Sequence, residues 1–437
     1  MRKVFLILSF VLVAAGNKIM AQQDSVWTLE KCINYAYEKN ITVLQGELTN
    51  QQNALNANQA KLNRLMSINA SVGENLGWSK NSTTSVWTGS NGSSYGVNSG
   101  ITVFNGSNLT NHIIQAELAI DGGNYSLETT KESISLSILN AYLQILYAEE
   151  QVKNAEKQIE SIQSQLTLAK ERLATQLIAQ SDYAQVKSQM ASEVLTLATS
   201  KNTLAIDKIN LMQLMELPVV DTFNIAHPDL SGQIDQKRMP DVKAVYAKAL
   251  EIKPQIKNAA VNKNIAALNE KIAKSNYYPV LSASAEVATS YSSNYKGDYF
   301  NQIKNGIYPA LGLSLAIPIY QKSQARLAVQ TAAISYHNSE LSELNTQYQL
   351  RQSIEQACQN VVSGQTQYEA SLENYNAMLE SAQLAEEKFT QGVINSTDYL
   401  VAKTNLIVAE SQLLQAKFNL IFCYKILDFY TGVPLTI

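Results

Sequence analysis

Residues 138–173 read ILNAYLQILYAEEQVKNAEKQIESIQSQLTLAKERL, and their apolar residues recur every seven positions. Ile138, Ile145, Val152, Ile159, Leu166 and Leu173 mark one heptad position. Ala141, Ala148, Ala155, Ile162 and Ala169 follow three residues later. A large residue alternating with a mostly small one, sustained over this length, predicts helices supercoiled along a narrow seam. The frame returns at Ile354, 216 residues after Ile138, with Val361, Tyr368, Tyr375, Ala382 and Phe389. Ala357, Gly364, Ser371, Met378 and Ala385 fill the second position there. The chain is an internal duplication, and its other segments are read as pairs.

Outward from the heptads, the duplication divides the chain into a segment 1–21, a first repeat 22–220, a linker 221–240 and a second repeat 241–437. Arg2 and Lys3 before the apolar run 4–15, with Ala21 before Gln22, read as a secretory signal peptide. That run is short for a membrane span, and no Cys follows the cleavage site to carry a lipid anchor. Removing 1–21 takes away Arg2, Lys3 and Lys18 and moves the formal charge from −3 to −6. Such a charge balance gives no basic surface for nucleic acid or anionic lipid. Cys32, Cys358 and Cys423 form no CxxC pair and sit among helical apolar residues, as buried thiols do.

Each repeat opens with helix, broken at Asn40-Ile41 in the first and Lys253-Pro254 in the second. The period then changes to two. Ile68, Ala70, Val72, Leu76 and Trp78 alternate with Asn69, Ser71, Gly73, Asn75 and Gly77, with Glu74 interrupting the apolar side. Strands are expected near 68–78, 95–104, 280–291 and 307–318, with 79–94 as a linker between the first two. Each has about the ten residues a tilted strand needs to cross a bilayer. Trp78, Trp87, Tyr95, Tyr291, Tyr295, Tyr299 and Tyr308 gather towards the linkers, as an interfacial aromatic girdle would. The longest helices follow, 107–174 and 321–390, with Gly122-Gly123 a candidate kink in the first. Short turns, 175–181 and 391–397, lead into returning helices.

The order helix, strand, strand, long helix, turn, helix, given twice behind a signal peptide, resembles the TolC family of outer-membrane efflux proteins. Tyr278-Pro279-Val280-Leu281 is similar to the family's proline before a strand, and Ile317-Pro318-Ile319-Tyr320 to its step out of one. The run from Phe389 to Leu400, with Gly392, Ile394, Asn395 and Thr397, resembles the turn between the long helices. The first repeat departs from the pattern: Met66 and Thr102 stand where prolines are expected, and Gln176 replaces the turn glycine. The resemblance implies a mainly α fold, with a long coiled-coil α-barrel and four strands per chain in a shared trimeric β-barrel. It also implies a periplasmic adaptor and an inner-membrane pump as partners. At the tip, some family members close with polar contacts of a tyrosine and an arginine. Here Ser181 and Asp182 hold the acceptor side, while Phe389 and Ile394 replace the donors, so that latch cannot form in the same way.

Elementary physics gives a parallel argument. Four strands cannot close a barrel, and an open edge cannot sit in lipid. Eight strands are filled by their own side chains, whereas twelve, from three chains, leave an aqueous path. Asn69, Ser71, Ser282, Ser284, Gly312 and Ser314 are small and polar, as a wet lumen requires.

No chemistry competes with this reading. His112, His227 and His337 are scattered, and no HExxH, GxSxG, Walker or GxGxxG sequence occurs. The chain is therefore read as no enzyme, needing neither metal nor cofactor. It is expected to be an exit channel in the outer membrane, touching its lipid and extending helices into the periplasm. The alternative is an exported coiled-coil stalk whose strands merely cap it. Asp182 and Asp398 follow the two turns and are the aperture candidates. Two roles stay open for them: carboxylates facing a lumen, or N-caps within Ser181-Asp182 and Thr397-Asp398.

Overall fold

The computed structural model of the protein describes residues 26–80, 82–83, 85–218, 223–228 and 241–436. The signal segment 1–21 and most of the linker 221–240 lie outside them. The first repeat contains α1 (Leu29–Lys39), α2 (Ile41–Leu62), β1 (Ser67–Lys80), β2 (Trp87–Phe104), α3 (Asn108–Ala174) and α4 (Gln180–Leu214). The second contains α5 (Val242–Ile252), α6 (Pro254–Ser275), β3 (Val280–Ser292), α7 (Tyr299–Asn305), β4 (Tyr308–Ala316), α8 (Gln324–Thr390) and α9 (Ser396–Thr431).

The heptads are the interior seam of both long helices. Every heptad residue named above in α3 and α8 is buried or half-buried. With 67 residues each, these helices are about 100 Å long at 1.5 Å per residue. No break occurs at Gly122-Gly123, where α3 continues. A Cβ on Gly123 would collide with Asn50 and Asn53 of α2. The glycine there serves the close approach of two helices.

Asn40 makes the first break by ending α1 and capping α2. Its Oδ1 accepts from Thr42 N at 2.9 Å, and its Nδ2 donates to the Leu214 carbonyl at 2.9 Å. At the second break Pro254 starts α6, where its missing N–H leaves no orphan donor. The largest core lies beside the first break, where Cys32 and Ile33 of α1 meet Ile138, Tyr142 and Ile145 of α3 and Leu211 of α4. Tyr142 donates to the carbonyls of Trp27 (3.1 Å) and Ala226 (2.8 Å), tying the chain entry to the inter-repeat passage. All three cysteines are free and buried.

The strands form one antiparallel sheet in the order β1-β2-β3-β4. Its register aligns the faces of all four strands. Ala70, Val97, Val287 and Pro309 stand in one row, and Ser67, Gly100, Ser284 and Gly312 in another on the opposite face. One face is apolar and the other small and polar, with Ser282 opposite Ser314 on the second. Pro279 immediately precedes β3, and Pro318 lies just past the end of β4.

Two expectations need correction. β2 begins at Trp87, so most of the expected linker 79–94 is strand. Its Gly, Ser and Asn residues hide the period of two, because both faces are polar there. Backbone pairing with β1 from Gly73 to Lys80 supplies the order instead. Tyr95 is consequently mid-strand, and Tyr308 stands on the small-polar face opposite Ala288, apart from the other aromatics. Among the described residues no helix is long and apolar enough to cross a membrane.

Candidate functional site

At the far end of the long helices, two turns and four helix ends come together. In the second turn Gly392 takes a left-handed φ of +73°, and in the first Gln176 takes +60° at the matching position. A side chain there is strained by about 1–2 kcal/mol relative to glycine, yet the same turn forms without it. The departure at Gln176 therefore changes the energy of the turn and not its shape.

The capping expectation is corrected. The cap of α9 is Asn395, whose Oδ1 accepts from Asp398 N at 2.8 Å. Thr397 and Asp398 are already inside the helix. The cap of α4 is Ala179, which has no side-chain acceptor, and Asp182 reaches back to accept from Ala179 N at 3.3 Å. Both helices start earlier than Ser181-Asp182 and Thr397-Asp398 suggest, and each Asp becomes a first-turn carboxylate at the positive end of a helix. Asp182 is half-buried with one oxygen engaged, whereas Asp398 and Ser181 are exposed.

Between the hairpins lies a cavity of about 250 Å³ whose lining includes Gln165, Arg172, Asp182, Phe389, Ile394 and Tyr399. The Phe389 and Tyr399 rings stack at 4.9 Å between centroids, with an interplanar angle of 9°. The Arg172 guanidinium sits 5.3 Å from the Phe389 centroid. Gln165 Nε2 donates to the Tyr399 hydroxyl at 3.0 Å, and Thr397 Oγ1 donates to Gln185 Oε1 at 3.0 Å. Burial, with Glu386 nearby, pushes the Tyr399 hydroxyl pKa up to about 12. Beneath them Ile162, Ala169, Val186 and Leu400 pack as a small apolar cluster.

The tip is thus fastened by contacts between α3–α4 and α8–α9 of one chain. Phe389, which cannot supply a hydroxyl, becomes the platform of a stack and a cation–π contact. Arg172, Gln165, Gln185 and Tyr399 carry that fastening, and the sequence reading missed them. Tyr399 lies ten residues after Phe389, and only the turn geometry makes them neighbours. Among the described residues no group of His, Cys, Asp or Glu could hold a metal ion.

Similarity to known proteins follows the same architecture. The sequence matches the family described as "Outer membrane efflux protein" over residues 32–216 and 245–427, one segment for each repeat. No curated protein sequence matches it. Among solved structures, the channel-forming CusC superposes with a TM-score of 0.79 at 15% identity, covering 93% of this chain and 92% of that one. The CmeC outer membrane channel of Campylobacter jejuni gives 0.76 at 15% identity, covering 92% and 85%. The MtrE outer membrane channel of Neisseria gonorrhoeae, solved in its open state, gives 0.76 at 16%, covering 94% and 90%. The doubled match, the fold and the two-faced sheet agree: this chain belongs to the outer membrane efflux protein family and is an exit channel for efflux in the outer membrane.

Proposed function

We propose that three copies of this chain close into one pipe, a shared twelve-stranded barrel continued by a helical tube. The carrying observation is that the free edges of sheet and helices coincide. Among the described residues the outer sides of β1 and β4 have no partner strand. Helices α2, α3, α6 and α8 pack side by side in that order, leaving α2 and α8 at the ends of the row. Along α2, Ile41, Leu48, Leu55 and Leu62 form an exposed heptad stripe; along α8, Leu327, Ile334, Leu341 and Tyr348 form another. α2 leads into β1 and α8 follows β4, so each side of the chain carries a bare strand and an apolar stripe together. Two different edges joined head to tail make a ring when the rotation closes.

The small-polar face then lines the lumen and the apolar face meets lipid, with Leu311 90% and Leu313 80% exposed on the isolated chain. The channel conducts passively, since neither the sequence motifs nor the site supplies an energy source. A periplasmic adaptor and an inner-membrane pump provide it, docking at the tip. Asp398, exposed and free of any capping duty for its carboxylate, lines the aperture with Asp182, giving two carboxylates per chain.

Light scattering in detergent tests the assembly. The native protein is expected to contain three chains per particle, and Leu55→Glu with Ile334→Glu is expected to dissociate it while helix content is retained. A native monomer, or a trimer indifferent to both charges, would overturn the proposal.

A further inference from the structure

The connection between β3 and β4 carries α7, a helix of seven residues. So short a helix cannot hold itself in water, and its neighbours hold it. The Tyr299 hydroxyl lies 2.6 Å from the Tyr95 hydroxyl, and the Tyr299 ring lies 4.8 Å from that of Tyr291. Thr289 Oγ1 donates to the Ile303 carbonyl at 2.6 Å. Gln302 accepts from Ser292 N at 3.0 Å and donates to the Gly297 carbonyl at 3.0 Å. Tyr95, Thr289 and Tyr291 all stand on the apolar face of the sheet, the face that continues to Leu311 and Leu313. α7 therefore packs on that face beside the end of β3, at the end of the sheet remote from the long helices.

Its other side is bare. Phe300 is 79% exposed, and Lys304, one helical turn on, is exposed beside it. Tyr295 and Lys296, in the turn leading into the helix, are exposed as well. Aromatic rings interleaved with lysines suit the membrane–water interface: rings sit at the headgroup boundary and ammonium groups reach the phosphates above it. In water the same side would be uncovered apolar surface. The partner that fits is continuous with the one covering Leu311 and Leu313.

We propose that α7 is a surface anchor laid in the headgroup layer of the outer leaflet, outside the barrel. Phe300 and Tyr295 enter the acyl boundary, and Lys296 and Lys304 pair with lipid phosphates. The inference rests on the apolar face being the lipid face, as read above.

Nitroxide labels at Phe300→Cys, Leu313→Cys and Gln391→Cys separate the two claims. The native thiols are buried and their pKa values raised, so they label slowly. The labelled channels go into vesicles of phosphatidylcholine with phosphatidylglycerol. Collision with oxygen, which dissolves in lipid, is compared with collision with a nickel chelate, which stays in water. The expected oxygen-to-nickel ratio is highest at Leu313, severalfold lower at Phe300, and severalfold lower again at Gln391 in the helical tip. Lys296→Gln with Lys304→Gln should shift Phe300 towards the Gln391 value. If Leu313 reads as lipid and Phe300 as bulk water, the anchor is overturned and the lipid face stands. If Leu313 itself reads as water, the face assignment falls and the anchor with it. An unchanged Phe300 ratio in the double lysine variant overturns the phosphate pairing.

Discussion

Lys253 Nζ lies 3.0 Å from Glu132 Oε1, an ion pair between a buried lysine and a half-buried glutamate that joins the second repeat to the first. The lysine side chain is 2% exposed and its ammonium sits 3.2 Å from the centroid of Phe429. Asn40, at the matching break, bonds within its own repeat instead, its neutral amide donating to the Leu214 carbonyl. The duplicated fold thus places a charge in one repeat where the other uses a hydrogen bond.

Removing one partner of this pair should be costly. Glu132→Gln leaves a buried cation uncompensated and is expected to destabilise the chain by about 3–5 kcal/mol. Lys253→Met should cost less, because Glu132 is 32% exposed and can turn to water. The pH dependence has a defined sign. Burial lowers the Lys253 pKa below 10.5, and Glu132 opposes the shift. Between the lowered value and 10.5 the unfolded chain binds more protons, so stability rises with pH there. Glu132→Gln should extend that window to lower pH. Denaturant unfolding across the alkaline range measures both effects, and a native-like profile in the variant would count against the pair.

The aromatic fastening of the tip makes a local prediction. Phe389→Ala removes the stack with Tyr399 and the contact with Arg172, together worth about 1–2 kcal/mol. Amide exchange in residues 389–400 should speed up about tenfold for each 1.4 kcal/mol lost, with exchange in the large core around Tyr142 unchanged. Tyr399 ionises only near pH 12, so the fastening should persist across the neutral range. Loss of protection at pH 8 in the native chain would contradict it.

Asp398→Asn tests the aperture. Its Asn395 cap bond uses backbone N–H, so the helix should lose only the carboxylate's dipole contact, about 0.3–1 kcal/mol. If carboxylates ring the opening, single-channel recordings should show weaker cation selectivity and weaker block by multivalent cations. Unaltered selectivity would assign Asp398 to the helix dipole alone.

Much of this architecture is legible in the sequence because heptads and alternation each report one buried face. Ile138 and Ile354 declare their helices without any long-range information. The N-terminal half of β2 is hidden, since residues 89–94 carry no apolar alternation and gain their order from pairing with β1 and, from Gly92 on, with β3. The tip is hidden for another reason. Arg172, Gln185 and Tyr399 are ordinary helix-surface residues until two turns bring them beside Phe389 and Thr397. Asp182 and Asp398 are visible as acids near turns, but their place in the first turn depends on where Ala179 and Asn395 end the loops.

The division of the sheet into a lipid face and a lumen face carries the whole account, and one paired measurement tests it. Leu313 pairs with Ala283 in the apolar set, and its neighbour Ser314 pairs with Ser282 in the small-polar set. Leu313→Arg places a charge in lipid, at a cost of about 2–4 kcal/mol near the bilayer midplane, and Ser314→Arg places it in water. The yield of membrane-inserted, detergent-stable channel should fall sharply for Leu313→Arg and stay near native for Ser314→Arg. Equal yields for the two variants, or a greater loss for Ser314→Arg, would contradict the division.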